Sequence, residues 1–135
     1  MIRRIIHSRW GSVNYNGNFA VLGDLNDSPG TRSTLNELIQ WEELHDVNLR
    51  LQPHQRWTHF FNDQNSPKYA QLDYILLSKT LAKYNPTTLP TIIRSGLDLS
   101  AMSYVGERFF SQENGVRASD HCLVCMDIRL DPNAA

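Results

Sequence analysis

Apolar and polar positions along this 135-residue chain change rhythm several times, and each rhythm predicts an element. Ile2, Ile5, Ile6 and Trp10 recur at near-helical spacing with Arg3, Arg4 and Arg9 between them, which predicts a short helix over 2–10 with no cap before it. The loop composition of GSVNYNGN follows at 11–18. Phe19, Ala20, Val21 and Leu22 then form a short apolar run ended by Gly23, the pattern of a buried strand entering a turn. Ser33 or Thr34 caps a predicted helix reaching about Leu44, with Leu35, Leu38, Ile39 and Leu44 on one side. HDVNL at 45–49 gives a weak strand signal. RWTHFF at 56–61 gives a stronger one through its aromatic and β-branched content. NDQNSPK predicts a hairpin turn, and AQLDYILLS at 70–78 predicts the returning strand. Another strand is expected over 87–94, and 96–114 has no regular pattern. CLVCMDIRL at 122–130 alternates as a last strand before a frayed tail. These elements predict one mixed α/β domain over 1–135.

Composition narrows the class without naming a function. A hydrophobic fraction of 41% and a charged fraction of 20% fit a soluble globular domain with its own core. A net charge of −1 supplies no global field toward nucleic acid or acidic membrane, so such a partner needs a local patch or a bound cation. No apolar run approaches the roughly 20 residues of a membrane span. The N-terminal apolar stretch is too short and broken for a signal peptide, so a cytoplasmic location is expected. Cys122 and Cys125 form a CxxC spacing inside an alternating segment. Strand residues three apart face opposite sides, which suits neither a shared metal nor a disulfide, so both are expected to be buried structural thiols.

Three polar clusters, each at the edge of an apolar strand, carry the candidate chemistry. The first is the turn after the early strand, where Asp24, Asn26 and Asp27 fall within four positions. Alone it reads as a polar turn, since Asp, Asn, Ser, Pro and Gly are ordinary turn residues. The second is Asp73, a lone carboxylate among Leu72, Tyr74, Ile75, Leu76 and Leu77. A buried carboxylate must be paired, either with an arginine or by orienting a histidine. The third is Ser119-Asp120-His121, which supplies that histidine just before the last strand. Two acids, an Asn and a His–Asp pair suit a cation-assisted attack of water on a phosphoester. One carboxylate aligns or deprotonates the water, while an amide and an imidazolium stabilise charge on the phosphorus oxygens.

GDLNDSP, RWTH, QLDYILLS and SDHCLV, in this order and at these spacings, resemble the endonuclease/exonuclease/phosphatase superfamily of DNase I-like proteins. The resemblance implies a four-layer α/β sandwich with a Mg²⁺- or Mn²⁺-dependent phosphodiesterase or phosphatase site between two sheets. By motif, Asp24 would position water and touch the metal, and Asn26 would contact the scissile phosphate. Thr58 would lie near that phosphate with His59 beside it, Asp73 would pair with His121, and Asp120 would join the metal site. The motifs present are those of the family's C-terminal half, so about half of the sandwich is expected, as one mostly antiparallel sheet with flanking helices.

The family's other half would supply a metal-binding Asn, a metal-binding Glu and a second catalytic His, yet the first seventeen residues contain no Asp or Glu. A donor is sought in a partner chain or among Glu42, Glu43, Glu107 and Glu113. The exposed sheet face is expected to drive homo-oligomerisation. The alternative is a catalytically inactive remnant or binding module with the same fold. The stretch 98–114, with Tyr104, Arg108, Phe109 and Phe110, is the candidate substrate loop. Those aromatics could stack on a nucleic acid strand, and they serve equally well as local packing.

Overall fold

The computed structural model describes residues 1–10, 17–63, 66–95, 97 and 119–131. It is a mixed α/β arrangement built on antiparallel strand pairs. Helix α1 spans Ile2–Trp10, α2 Asn36–Ile39 and α3 Lys79–Tyr84. The strands are β1 (Ala20–Asp24), β2 (Leu44–Asp46), β3 (His59–Asp63), β4 (Ser66–Ala70), β5 (Asp73–Ser78), β6 (Thr91–Ile93) and β7 (Leu123–Cys125).

The centre is β5, DYILLS, with β1 on one side and β2 on the other, both antiparallel. It holds that place because both of its faces are apolar. Tyr74 and Leu76 bury against Leu38 and Leu44, with Val21, Leu35, Ile39 and Trp41 around them. Leu77 buries on the opposite face against Val47, Leu81 and Ala82, joined by Ala20, Ile75 and Met126. Full burial of one such leucine is worth about 1.5–3 kcal/mol. At the end of β5 the Ser78 hydroxyl accepts from the Leu81 N–H and caps α3, which returns Leu81 and Ala82 to the second face.

Instead of the one expected sheet there are three small ones: β1-β5-β2, the hairpin β3-β4, and β6-β7. The stretch AQLDYILLS is not one strand. Ala70 ends the hairpin opposite His59, and Asp73 begins β5 opposite Asp24. The switch falls at Gln71 and Leu72. Gln71 turns inward to Asp46, while the Leu72 N–H and the Asp73 N–H both donate to the Thr58 hydroxyl at 3.0 Å. An isolated bridge, His59 opposite His121, ties the hairpin to the segment entering β7.

Other elements are shorter than their sequence patterns predicted. The helix expected over 33–44 is reduced to α2, because Asp27 accepts from the Ser33 hydroxyl and from the Thr34 hydroxyl and N–H, and Leu44 pairs with Ser78 in β2. The aromatic strand begins only at His59, the strand expected over 87–94 is β6 alone, and the last strand stops at Cys125. Cys122 is buried, and burial, against the opposing charge of Arg94, pushes its thiol up to about 12. Cys125 is exposed, which corrects the expectation of two buried thiols. The candidate loop 98–114, with Glu107 and Glu113, lies outside the described residues. No helix among the described residues is long and apolar enough to cross a membrane.

A buried polar knot sits behind the site. Asp46 accepts from the Asn48 N–H and from Gln71 Nε2, and Asn48 Nδ2 donates to the Asp73 carbonyl at 3.0 Å. Burial raises the Asp46 carboxyl above its ordinary value of 3.8, against the hydrogen bonds of Gln71 and Asn48 and the charge of Arg56. Through that window the folded state holds the extra proton, so stability falls as pH rises. Asp46→Asn is expected to flatten this fall. Its urea midpoint should differ less between about pH 4 and about pH 7 than that of the wild type.

Candidate functional site

The strand register alone sets two carboxylates side by side: Asp24 ends β1 directly opposite Asp73 at the start of β5. Like charges directly opposite one another on a sheet repel unless a cation intervenes. His121 intervenes. Its Nδ1 lies 2.9 Å from Asp73 Oδ2 and its Nε2 lies 4.0 Å from Asp24 Oδ2. Among the described residues Asp73 therefore has a histidine partner, not an arginine. Because a carboxylate only accepts, Nδ1–H donates to Asp73, and Nε2 is the nitrogen facing Asp24. Burial works to lower the imidazole pKa. The hydrogen bond and charge of Asp73, together with the charges of Asp24 and Asp120, outweigh it and raise the pKa above the ordinary 6.5.

The turn after β1 presents Asp24 by backbone conformation. Gly23 has a φ of +131°, a region that L side chains rarely adopt, and the Asn26 N–H folds back onto Asp24 Oδ1 at 2.8 Å. Asn26 itself has a φ of 57°, left-handed geometry that Asn tolerates, and its side chain is exposed. Beneath the turn the Tyr74 hydroxyl donates to the Asp27 carbonyl at 2.8 Å. Asp27 thus serves the loop, with the Thr34 hydroxyl and N–H foremost in holding its carboxyl below the usual range. Gly23 and Tyr74 are the positioning residues that motif reading passes over. A glycine directly before the turn acid was the available signal for the first.

Thr58 is placed differently from the role the resemblance gives it. It is fully buried, and its hydroxyl is committed to the N–H groups of Leu72 and Asp73, so it faces the interior and not an incoming phosphate. Its contribution is to fix the start of β5 and with it Asp73. Thr58→Val keeps the volume but orphans two partly buried donors, at about 1–2 kcal/mol each. A loss of about 2–4 kcal/mol is expected by urea denaturation, larger than surface replacements give.

His59 and Asp120 flank His121. Strand alternation explains His59: Thr58 and Phe60 are buried, so His59 turns to the opposite side. Its Nε2 lies 3.7 Å from Asp120 Oδ2, and its ring centroid is 4.7 Å from that of His121. Two overlapping groups could hold a cation, Asp24–Asp73–His121 and His59–Asp120–His121, with ligand atoms within 4.8 Å of one another in each. Of the glutamates considered as donors, Glu43 faces Lys79 at 4.0 Å and Glu42 is exposed. Neither belongs to such a group among the described residues. The structure thus brings Asp24, Asp73, His121, Asp120 and His59 together, keeps Asn26 on the adjoining turn, and turns Thr58 away. The chain matches no family model, no curated protein and no solved structure.

Proposed function

We propose that the chain is a metal-dependent phosphoesterase of the DNase I-like kind, cleaving phosphodiesters, with nucleic acid the first substrate class to try. The observation that carries this reading is the pair Asp24 and Asp73 in cross-strand register with His121 between them. A structural ion pair needs one carboxylate. A second one opposite it, 40% exposed at the side chain and aimed at the far ring nitrogen, is an arrangement for chemistry.

The residues fit a hard divalent ion, Mg²⁺ or Mn²⁺, which needs only one or two carboxylates plus waters and substrate phosphate. Asp24 and Asp120 have half-exposed carboxylates to offer, whereas Asp73 is committed to His121. A bound cation supplies charge neutralisation at the phosphoryl oxygens and a more acidic water. Asp24 would align the attacking water and accept its proton as the bond from phosphorus to the leaving oxygen breaks. His121, held charged by Asp73, donates from Nε2 to a phosphorus oxygen as negative charge builds there. Asn26, on the turn beside Asp24, offers an amide to the same phosphate.

Plasmid nicking and hydrolysis of a chromogenic diester in Mg²⁺ or Mn²⁺, then in EDTA, test the reading. Cleavage that EDTA abolishes is expected, and cleavage indifferent to EDTA contradicts it. That no glutamate joins either cation-binding group among the described residues favours the second reading, a binding module that keeps the fold without turnover. A folded sample that binds Mn²⁺ and cleaves nothing would establish that one. Self-association belongs to the same proposal, since Leu22 and Leu123 are 69% and 64% exposed. Light scattering is expected to show a dimer or larger species, and a monodisperse monomer contradicts this part.

A further inference from the structure

We infer that His59, Asp120 and His121 form a binding site for a borderline transition ion, Zn²⁺ above all, and that filling it switches the proposed phosphoesterase centre off. The switching clause rests on the function proposed above, and the binding clause does not.

The backbone builds this site. The Phe60 N–H donates to the Asp120 carbonyl at 2.9 Å and the Cys122 N–H donates to the Thr58 carbonyl at 2.6 Å, and these two bonds flank the His59–His121 bridge. That is the non-hydrogen-bonded pair of an antiparallel ladder, the position where opposed side chains come closest. Two imidazoles are therefore held side by side by main chain, with ring centroids 4.7 Å apart and ring planes inclined at 57°. Asp120, the neighbour of one of them, adds a carboxylate oxygen.

The donor set selects the ion. Mg²⁺ takes oxygen ligands and keeps its waters, whereas imidazole suits Zn²⁺, Co²⁺ and Ni²⁺. The three ligand atoms lie within 4.8 Å of one another. Tetrahedral Zn²⁺ with bonds of about 2.0–2.1 Å spaces its ligands by roughly 3.3 Å. The required contraction, at most about 1.5 Å, falls within side-chain rotation of partly exposed residues. His59 Nε2 and Asp120 Oδ2, at 3.7 Å, are too far apart to hydrogen-bond, so neither atom's capacity is used up on the other. Asp73 on Nδ1 of His121 completes a carboxylate–histidine–metal arrangement, which orients the ring and leaves Nε2 as the donor to the ion. Nε2 is also the nitrogen that serves the phosphate in the proposed reaction. An ion bound there withdraws it.

The test begins with binding. The full chain is titrated with Co²⁺, its visible d–d absorption is followed, and Zn²⁺ is then added as competitor. One equivalent with tetrahedral-type absorption is expected, displaced by Zn²⁺ but not by excess Mg²⁺. His59→Gln and, independently, Asp120→Asn are expected to weaken binding by about 100-fold, at least the scale seen when a supporting partner of a ligand is lost. No d–d band, displacement by Mg²⁺, or affinity unchanged in both variants overturns the site. For the switch, diester cleavage in Mg²⁺ is measured with added Zn²⁺. Fractional inhibition of the wild type that shifts to higher Zn²⁺ in His59→Gln supports it. Inhibition equal in both proteins, or no cleavage before Zn²⁺ is added, overturns the switching clause, and the second outcome also counts against the phosphoesterase reading while leaving the binding result intact.

Discussion

Asp73→Asn is expected to lower phosphodiester cleavage by about 10²–10⁴-fold while the chain stays folded. The isostere leaves β5 and its partners in place, because the Asp73 N–H and carbonyl, not its carboxylate, bond to Thr58 and Asn48. What disappears is the charge 2.9 Å from His121 Nδ1. The pKa of His121, raised by that charge over the opposing effect of burial, is expected to fall, leaving less imidazolium to donate. The sign for stability follows from the same shift. A histidine whose folded pKa lies above its ordinary 6.5 contributes its full stabilisation below 6.5 and loses it as pH rises through the folded value. Histidine NMR titration of wild type and variant checks the first point. Chemical denaturation across that window checks the second, with the decline expected in the wild type and reduced in Asp73→Asn. An unshifted His121 titration contradicts the pairing.

Asp24→Asn is expected to abolish metal-dependent cleavage, a loss of about 10³-fold or more, because it removes both the base and a cation ligand. Its effect on stability should change sign with pH. While His121 is protonated, Asp24 is attracted to an imidazolium 4.0 Å away, and its neutralisation is neutral or slightly destabilising. Once His121 is neutral, two carboxylates face each other in register, and removing one charge stabilises by about 0.5 kcal/mol. Urea midpoints of both proteins on either side of the His121 titration measure this crossing. A variant that is less stable at every pH would mean that Asp24 serves the fold, not the chemistry.

Much of this arrangement was legible in the chain because it depends on local pattern. DYILLS reads as apolar on both faces and is the central strand. A lone acid at its head required a partner, and His121 supplies it. The differences come from contacts that the hydrophobic pattern does not encode. Nothing local shows that AQLDYILLS changes sheets at Gln71 and Leu72, since the reason is a threonine hydroxyl fourteen residues away from Leu72. The long helix expected after Ser33 lost its start to Asp27 and its end to pairing with Ser78. The motif points Thr58 at the phosphate, whereas its burial and its bond to the Asp73 N–H make it a support behind Asp73. His59 gained significance from the bridge to His121, which no spacing along the chain encodes.

Turnover of a chromogenic phosphodiester by wild type, Asp24→Asn and His121→Ala, in Mn²⁺ and in EDTA, tests the central claim most directly. The expected result is metal-dependent hydrolysis in the wild type and none above background in either variant, with all three folded by circular dichroism. Hydrolysis that survives both substitutions, or a folded wild type no faster than its variants, would contradict a phosphoesterase centre built on Asp24 and His121.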